Sequence, residues 1–286
     1  MVGDGVRSRP IATARLLKRI PTEDSLVVFI DFGALRQGGI LQLLDGSKTS
    51  EDPDYQSFAR KINFDYRQDL DSAMVSFAPD GKYMLVRGRF DWKSLRSYAI
   101  DSGGICLTSQ CRMAGSTPDR RISFFPLQSG LIALAVSPYE SAVLRLTENP
   151  PSGPDPELPS GPVWLSFPGS LLKSNESLPS GTRMFTRGME NAENVTLAFA
   201  AEGNRFAARV EVRCRNEQDA AEVASQLSST TITLRRMLER EHQTPGPGDL
   251  AAVLASGSFR NQGRRVFGYW PIERAFIETI LSGGVS

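Results

Sequence analysis

Few side chains in this chain are of types that do chemistry, and their spacing is more informative than their number. The only histidine, His242, lies in Glu241-His-Gln-Thr-Pro-Gly-Pro-Gly248, where a cation would complement the carbonyl end of a helix. One imidazole gives neither a histidine-rich metal set nor a spare base for Ser–His or Cys–His catalysis. The acids Asp65, Asp69 and Asp71 stand close together. They lack the glycine and the closing glutamate of a calcium loop, so they read as a polar turn before a strand. Asp80-Gly81 reads as a hairpin turn, and no glycine-rich stretch has the spacing of a phosphate loop or dinucleotide fingerprint. No catalytic, cofactor-binding or metal-ligating residue is assigned, and no cofactor is expected. The remaining candidates are arginines. Arg87 and Arg89 alternate with Val86 and Phe90, and Arg209 and Arg213 take the same face of a second, similar strand. Such a row is a candidate anion site. The alternative is a solvated face paired to acids such as Glu211, worth tenths of a kcal/mol per pair.

The elements that must position these groups fall into two similar series. Six prolines in Asn149–Pro162 exclude a helix or a central strand there, which divides the chain into 1–148, a linker 149–162, and 163–286. Ser72–Phe90 aligns without a gap on Asn194–Val212, placing Phe77 on Phe199, Gly81 on Gly203 and Arg87 on Arg209. Both segments predict strand, turn, strand. Each is preceded by an apolar strand ending in Gly-x-Leu (Val27–Leu35, Val163–Leu171), and Tyr55, Phe58, Ala59 and Ile62 predict an extra helix in the first half. Each hairpin is followed by a helix, Trp92–Ile100 capped by Asp91 and a longer one capped by Asn216. Further strands are expected at Arg121–Phe125, Leu131–Val136, Leu250–Leu254 and Arg264–Tyr269. Closing helices are expected from Ser137-Pro138 and Trp270-Pro271, with proline just inside each start. Alternation buries Val75, Phe77, Leu197 and Phe199, and helical spacing buries Val223, Leu227 and Leu234. Trp164, Trp270, Phe124 and Phe125 read as core. The expectation is an α+β protein made of two diverged copies of an antiparallel-sheet-plus-helix, ferredoxin-like unit.

Composition narrows the partners. Thirty-three basic against thirty-two acidic residues leave a net charge of +1, so no global field attracts a polyanion and nucleic acid is not an expected partner. No run of apolar residues is long enough for a transmembrane helix. Residues 1–10 contain no apolar stretch of the kind found in a signal peptide, which by itself suggests a cytoplasmic protein.

At Ile20–Arg36, Arg87–Trp92 and Cys111–Pro126 the chain resembles uncharacterised acidobacterial exported proteins, and the likeness spans most of the sequence. The resemblance implies an origin in the cell envelope, with a signal or lipoprotein segment, but no activity, substrate or catalytic residue. It also implies that Cys106 and Cys111, separated by four residues after Gly103-Gly104, form a disulfide while Cys214 stays reduced. A reducing cytoplasm would instead leave all three as thiols. The leading functional expectation is a non-catalytic envelope protein that binds a partner, such as another protein, or a ligand through a duplicated module. An enzyme with a site at the junction of the two copies and a cytoplasmic regulatory module are the alternatives.

Overall fold

The computed structural model describes residues 12–43, 53–117, 119–149, 152–173, 180–203, 205–240 and 246–281. His242 lies outside them. In chain order the first elements are α1 (Thr13–Leu17), β1 (Leu26–Asp31), α2 (Phe32–Gln37), α3 (Ile40–Leu43), α4 (Pro53–Ile62), α5 (Tyr66–Asp69), β2 (Leu70–Ala78) and β3 (Gly81–Gly88). There follow α6 (Trp92–Asp101), β4 (Ile105–Leu107), β5 (Gln110–Ala114), β6 (Arg121–Gln128), β7 (Leu131–Ser137) and a 3-10 turn (Ala142–Leu146). The rest are β8 (Val163–Phe167), a second 3-10 turn (Gly169–Lys173), α7 (Ser180–Arg187), β9 (Asn194–Glu202), β10 (Arg205–Arg213), α8 (Glu217–Arg240), α9 (Leu250–Ala255), β11 (Ser258–Gln262), β12 (Arg265–Ile272) and α10 (Arg274–Leu281).

Two compact units result, Met1–Ser25 with Pro53–Leu158, and Leu26–Asp52 with Pro159–Ser286. The division near residue 158 falls in the proline-rich segment, but the first half is not kept whole. Strand β1 pairs antiparallel with β8, Val28 opposite Leu165, and the Phe29 and Trp164 rings stack with centroids 5.4 Å apart. Alternation in a sequence shows that a strand has an apolar face, not which neighbour it pairs with.

In the first unit the strand order is β2-β3-β7-β6-β5-β4, antiparallel throughout. Asp91 starts α6 by accepting from the Lys93 amide at 3.0 Å. The helix ends where Gly103 (φ +78°) turns the chain. One face of the sheet, with Cys111, Phe124 and Ile132, packs against Ile62, Leu95 and Ala99 of α4 and α6. The opposite face is buried as well. Met74, Tyr83 and Leu85 are sealed there, the Ser76 hydroxyl donates to the Pro21 carbonyl at 2.6 Å, and the Ser123 hydroxyl accepts from the Val143 amide at 3.2 Å. Serines at alternate positions look like a wet face in sequence. Here their hydroxyls are satisfied by the covering segments, which removes the penalty for burying them.

Phe77 is 40% exposed, contrary to expectation, and Val75 is only half-buried. Both point to the helix side. The ten-residue α6 packs on β4 and β5, and at 1.5 Å per residue it is short. Phe77 sits instead at the hairpin tip with the Lys82 ammonium 5.5 Å from its ring centre.

The second unit has the order β11-β12-β10-β9-β8-β1. Asn216 caps α8 by accepting from the Asp219 amide at 2.8 Å. Ala220, Val223, Ala224, Leu227 and Thr231 form the buried stripe of that 24-residue helix. They pack with Val195, Ala208, Val210, Val212, Val266, Trp270 and Ile272 of the sheet, and Leu197, Phe199 and Leu234 are partly buried against the same core.

Three assignments change. Leu250–Leu254 is helical, not a strand; a short apolar run fits either period. Its place next to β12 is taken by β11, a mostly exposed polar strand. Pro271 lies within β12 rather than at a helix start, beyond Tyr269, where pairing with β11 ends; a proline is tolerated where one side of a strand is unpaired. After Ser137 the chain makes a short 3-10 turn in place of a helix. Helix α7, with Phe185 buried, was not expected.

The aligned hairpins both form, but their turns are displaced by two residues. Ala78 pairs with Gly81, whereas Glu202 pairs with Arg205. Consequently Gly81 opens β3, where a Cβ would lie 2.7 Å from the Val136 carbonyl oxygen, while Gly203 occupies its turn at φ +65° with open space around it.

Replacing Leu227, which is fully buried, by alanine is expected to lower unfolding free energy by about 2–5 kcal/mol. Phe77→Ala should cost less than about 1 kcal/mol. Urea unfolding of the two variants, measured side by side, checks both values.

Candidate functional site

Side chains of the second unit that point away from α8 fall into rows fixed by strand register. Asn194, Arg213, Arg265 and Gln262 form one row across β9, β10, β12 and β11. Thr196, Glu211, Phe267 and Arg260 form the next, and Ala198, Arg209, Tyr269 and Ser258 the third. Alternation puts all of them on one face. Between the second and third rows the sheet encloses an open groove of about 530 Å³, with Ser160 at its side. Its floor is apolar, made by Ala198, Phe267 and the Tyr269 ring.

The polar groups of this groove are tied to one another. Arg209 is paired with the Glu202 carboxylate, and the Tyr269 hydroxyl donates to the other oxygen of Glu202 at 2.9 Å. The tyrosine hydrogen bond, followed by the arginine, holds the Glu202 carboxyl below the usual carboxylate range. The same bond raises the Tyr269 phenol. Glu211 pairs with Arg265 at 3.2 Å. The Arg260 guanidinium lies 4.8 Å from the centre of the Phe267 ring, a cation–π contact. Two flat aromatic surfaces and oriented guanidinium groups suit recognition of a partly apolar, acceptor-bearing ligand. A carboxylate whose charged form is favoured is a poor proton acceptor near neutral pH.

The four arginines singled out in sequence do not form one row. Arg209 and Arg213 share the open face of β10, four residues apart. Arg87 belongs to the first unit, half-buried on the face that carries Tyr83 and Leu85. Arg89 lies past the end of β3 and is paired with Asp69 at 2.9 Å. Asp65 accepts from the Arg67 amide at 3.0 Å to start α5, and Asp69 accepts from the Asp65 amide at 2.8 Å, so these acids organise a turn. Glu202, Tyr269, Phe267 and Arg260 were not singled out in sequence, because only register brings them beside Arg209.

Cys106 and Cys111 are directly opposed in the β4–β5 hairpin and joined by a disulfide. Cys214 is free and buried, and burial pushes its thiol up. Among the described residues no group of three or more His, Cys, Asp or Glu side chains could hold a metal ion. No helix among them is long and apolar enough to cross a membrane.

No protein-family model matches the sequence, and no curated protein matches it. Solved structures of TP0453 are similar. Its crystal form III matches with a TM-score of 0.54 at 10% identity, over 93% of this chain and 97% of that one. Crystal form I matches with a TM-score of 0.50 at 11% identity, over 96% and 100%. At this identity the likeness is one of fold, and it extends the α+β assignment over nearly the whole chain.

For Glu202, whose folded pKa is lowered, the stabilising interaction is complete above the unfolded pKa and is lost as pH falls through the folded one. Tyr269→Phe should therefore move the Glu202 titration up towards 4.5, its unperturbed value, without affecting titration elsewhere. Carbon-detected NMR titration of the side-chain carboxyl group reads this; an unmoved titration would remove Tyr269 as the main cause.

Proposed function

We propose that this chain is a non-catalytic protein of the cell envelope, built from a duplicated α+β module, which holds a ligand or protein partner on the face of its second unit opposite α8. The observation that carries the reading is the groove itself. It combines an apolar floor, two aromatic faces and guanidinium groups, with the Glu202 carboxylate at its edge tied to Tyr269 and Arg209 and the Glu211 carboxylate tied to Arg265. Such a site orients a ligand through arginine and aromatic contacts, and the bonds from Tyr269 and Arg209 favour the charged form of Glu202.

The duplication is supported by matching neighbour order. The first unit runs β2-β3-β7-β6 and the second β9-β10-β12-β11, with a helix after each hairpin, α6 and α8. The envelope assignment is supported by the resemblance to exported proteins and by the Cys106–Cys111 bridge, since disulfides persist in oxidising compartments.

The groove is expected to take an acidic peptide that also bears an aromatic side chain. Titrating such a peptide should shift backbone amide resonances in β9, β10 and β12, and Arg260→Glu should abolish the shifts while leaving the fold intact. Shifts confined to other elements would move the site, and the absence of any shift would remove acidic peptides as its ligands. For the compartment, alkylation of unreduced, unfolded protein taken from its native cells should label Cys214 alone. Labelling of all three cysteines would count against both the bridge and the envelope.

A further inference from the structure

One row of the open face is not explained by the groove. Arg213 of β10 and Arg265 of β12 are direct cross-strand partners, which sets their Cβ atoms about 4.5–5.5 Å apart. Like charges in that position destabilise a sheet. A third arginine joins them. Arg264 lies in the β11–β12 turn, which is pinned to the end of β10: the Cys214 amide donates to the Arg264 carbonyl at 2.9 Å, and the Arg264 guanidinium donates to the Arg215 carbonyl at 3.5 Å. Arg213, Arg264 and Arg265, with Gln262 and Phe267, line a second concavity of about 470 Å³.

The nearest acids neutralise only part of this charge. Glu211 is committed to Arg265 at 3.2 Å. A Cβ on Gly263 would approach a Glu217 carboxylate oxygen at 3.7 Å, which places that acid beside the turn, though it is not among the residues lining the concavity. Arg213 has no carboxylate partner among the described residues, and Arg264 bonds a neutral carbonyl. Two positive charges thus face one cavity, on backbone fixed by strand pairing at Arg213 and by the amide bond at the turn.

We propose that this concavity is a binding site for a phosphate dianion, either free phosphate or a phosphate monoester. Two guanidinium forks match the tetrahedral oxygens of phosphate, and charge-assisted bonds of this kind are stronger than neutral ones. Gln262 adds a neutral amide donor. A dianion between Arg213 and Arg264 removes the repulsion along the row, so occupancy stabilises the fold. The site shares only Phe267 with the groove; its charged and amide groups are its own, so it stands or falls separately from the groove.

The test uses the full chain. Inorganic phosphate, titrated calorimetrically at constant ionic strength, should bind saturably and raise the thermal unfolding midpoint. Arg213→Gln with Arg264→Gln should weaken binding at least about tenfold and raise the midpoint of the phosphate-free protein. The single variant Arg264→Gln, in an exposed turn, gives the same reading if the double variant does not fold. Arg260→Gln, in the neighbouring groove, should leave phosphate affinity unchanged. Phosphatidylcholine vesicles with and without phosphatidic acid, run beside O-phosphoserine, separate a lipid headgroup from a soluble phosphate: in either case phosphate competes and the arginine variants lose binding. Absence of saturable phosphate binding, or equal binding by the arginine variants, overturns the site.

Discussion

The register of the β9–β10 hairpin is the constraint on which the open face of the second unit depends. Side chains alternate along a strand, so slipping one residue would send Arg209, Glu211 and Arg213 into the core and bring Ala208, Val210 and Val212 out. Gly203, at φ +65°, allows the turn that sets this register, and the pairing of β10 with β12 carries it to Phe267 and Tyr269. The hydrophobic face then holds it in place. Valines at 210, 212 and 266 and Trp270 are buried against α8 and its neighbours, and each fully buried side chain of this size contributes about 1.5–3 kcal/mol. The polar rows are the necessary reverse side of that core.

Much of this was legible in sequence because local rules agreed with one another. The caps Asp91 and Asn216, the glycine stop after α6, the helical stripe of Val223 and Leu227, and both hairpins follow from short-range chemistry. What failed was decided at longer range. Leu250–Leu254 has no clear period, so only its packing chooses helix over strand. Ser72 and Ser76 carry the composition of a solvated face, and the Pro21 carbonyl that satisfies Ser76 lies 55 residues away in sequence. The partner of β1 is more distant still. The arginines were visible as types, yet Glu202, Phe267 and Tyr269 become neighbours of Arg209 only through strand pairing.

The disulfide shows how a weak sequence signal gains force from geometry. Two cysteines separated by four residues fit many arrangements, but direct opposition in a hairpin leaves little freedom between them. A bridge closing so small a loop stabilises by roughly 2 kcal/mol under the chain-entropy model. Strand β4 has only three residues and exposes Ile105 and Leu107 at 57% and 61%. Such a strand buries little apolar surface of its own, so the covalent tie to β5 is a large share of what holds it. The same hairpin in a reducing compartment would lose that tie.

The two units, compared separately, indicate where binding can reside. Arg87 and Arg209 align in sequence, and both lie on the face turned away from the helices. In the first unit that face is covered: the 3-10 turn packs on β6 and β7, Val143 and Leu146 are sealed, and Pro21 bonds Ser76. In the second unit the corresponding surface over β10 and β12 remains open and is populated by Arg209, Glu211, Arg213, Arg265 and Tyr269. An arginine row on a face that must be buried would have to be paired or lost, whereas on an open face it is free to meet a ligand. The covered face of the first unit thus adds to its core, and the open face over β10 and β12 presents the charged rows.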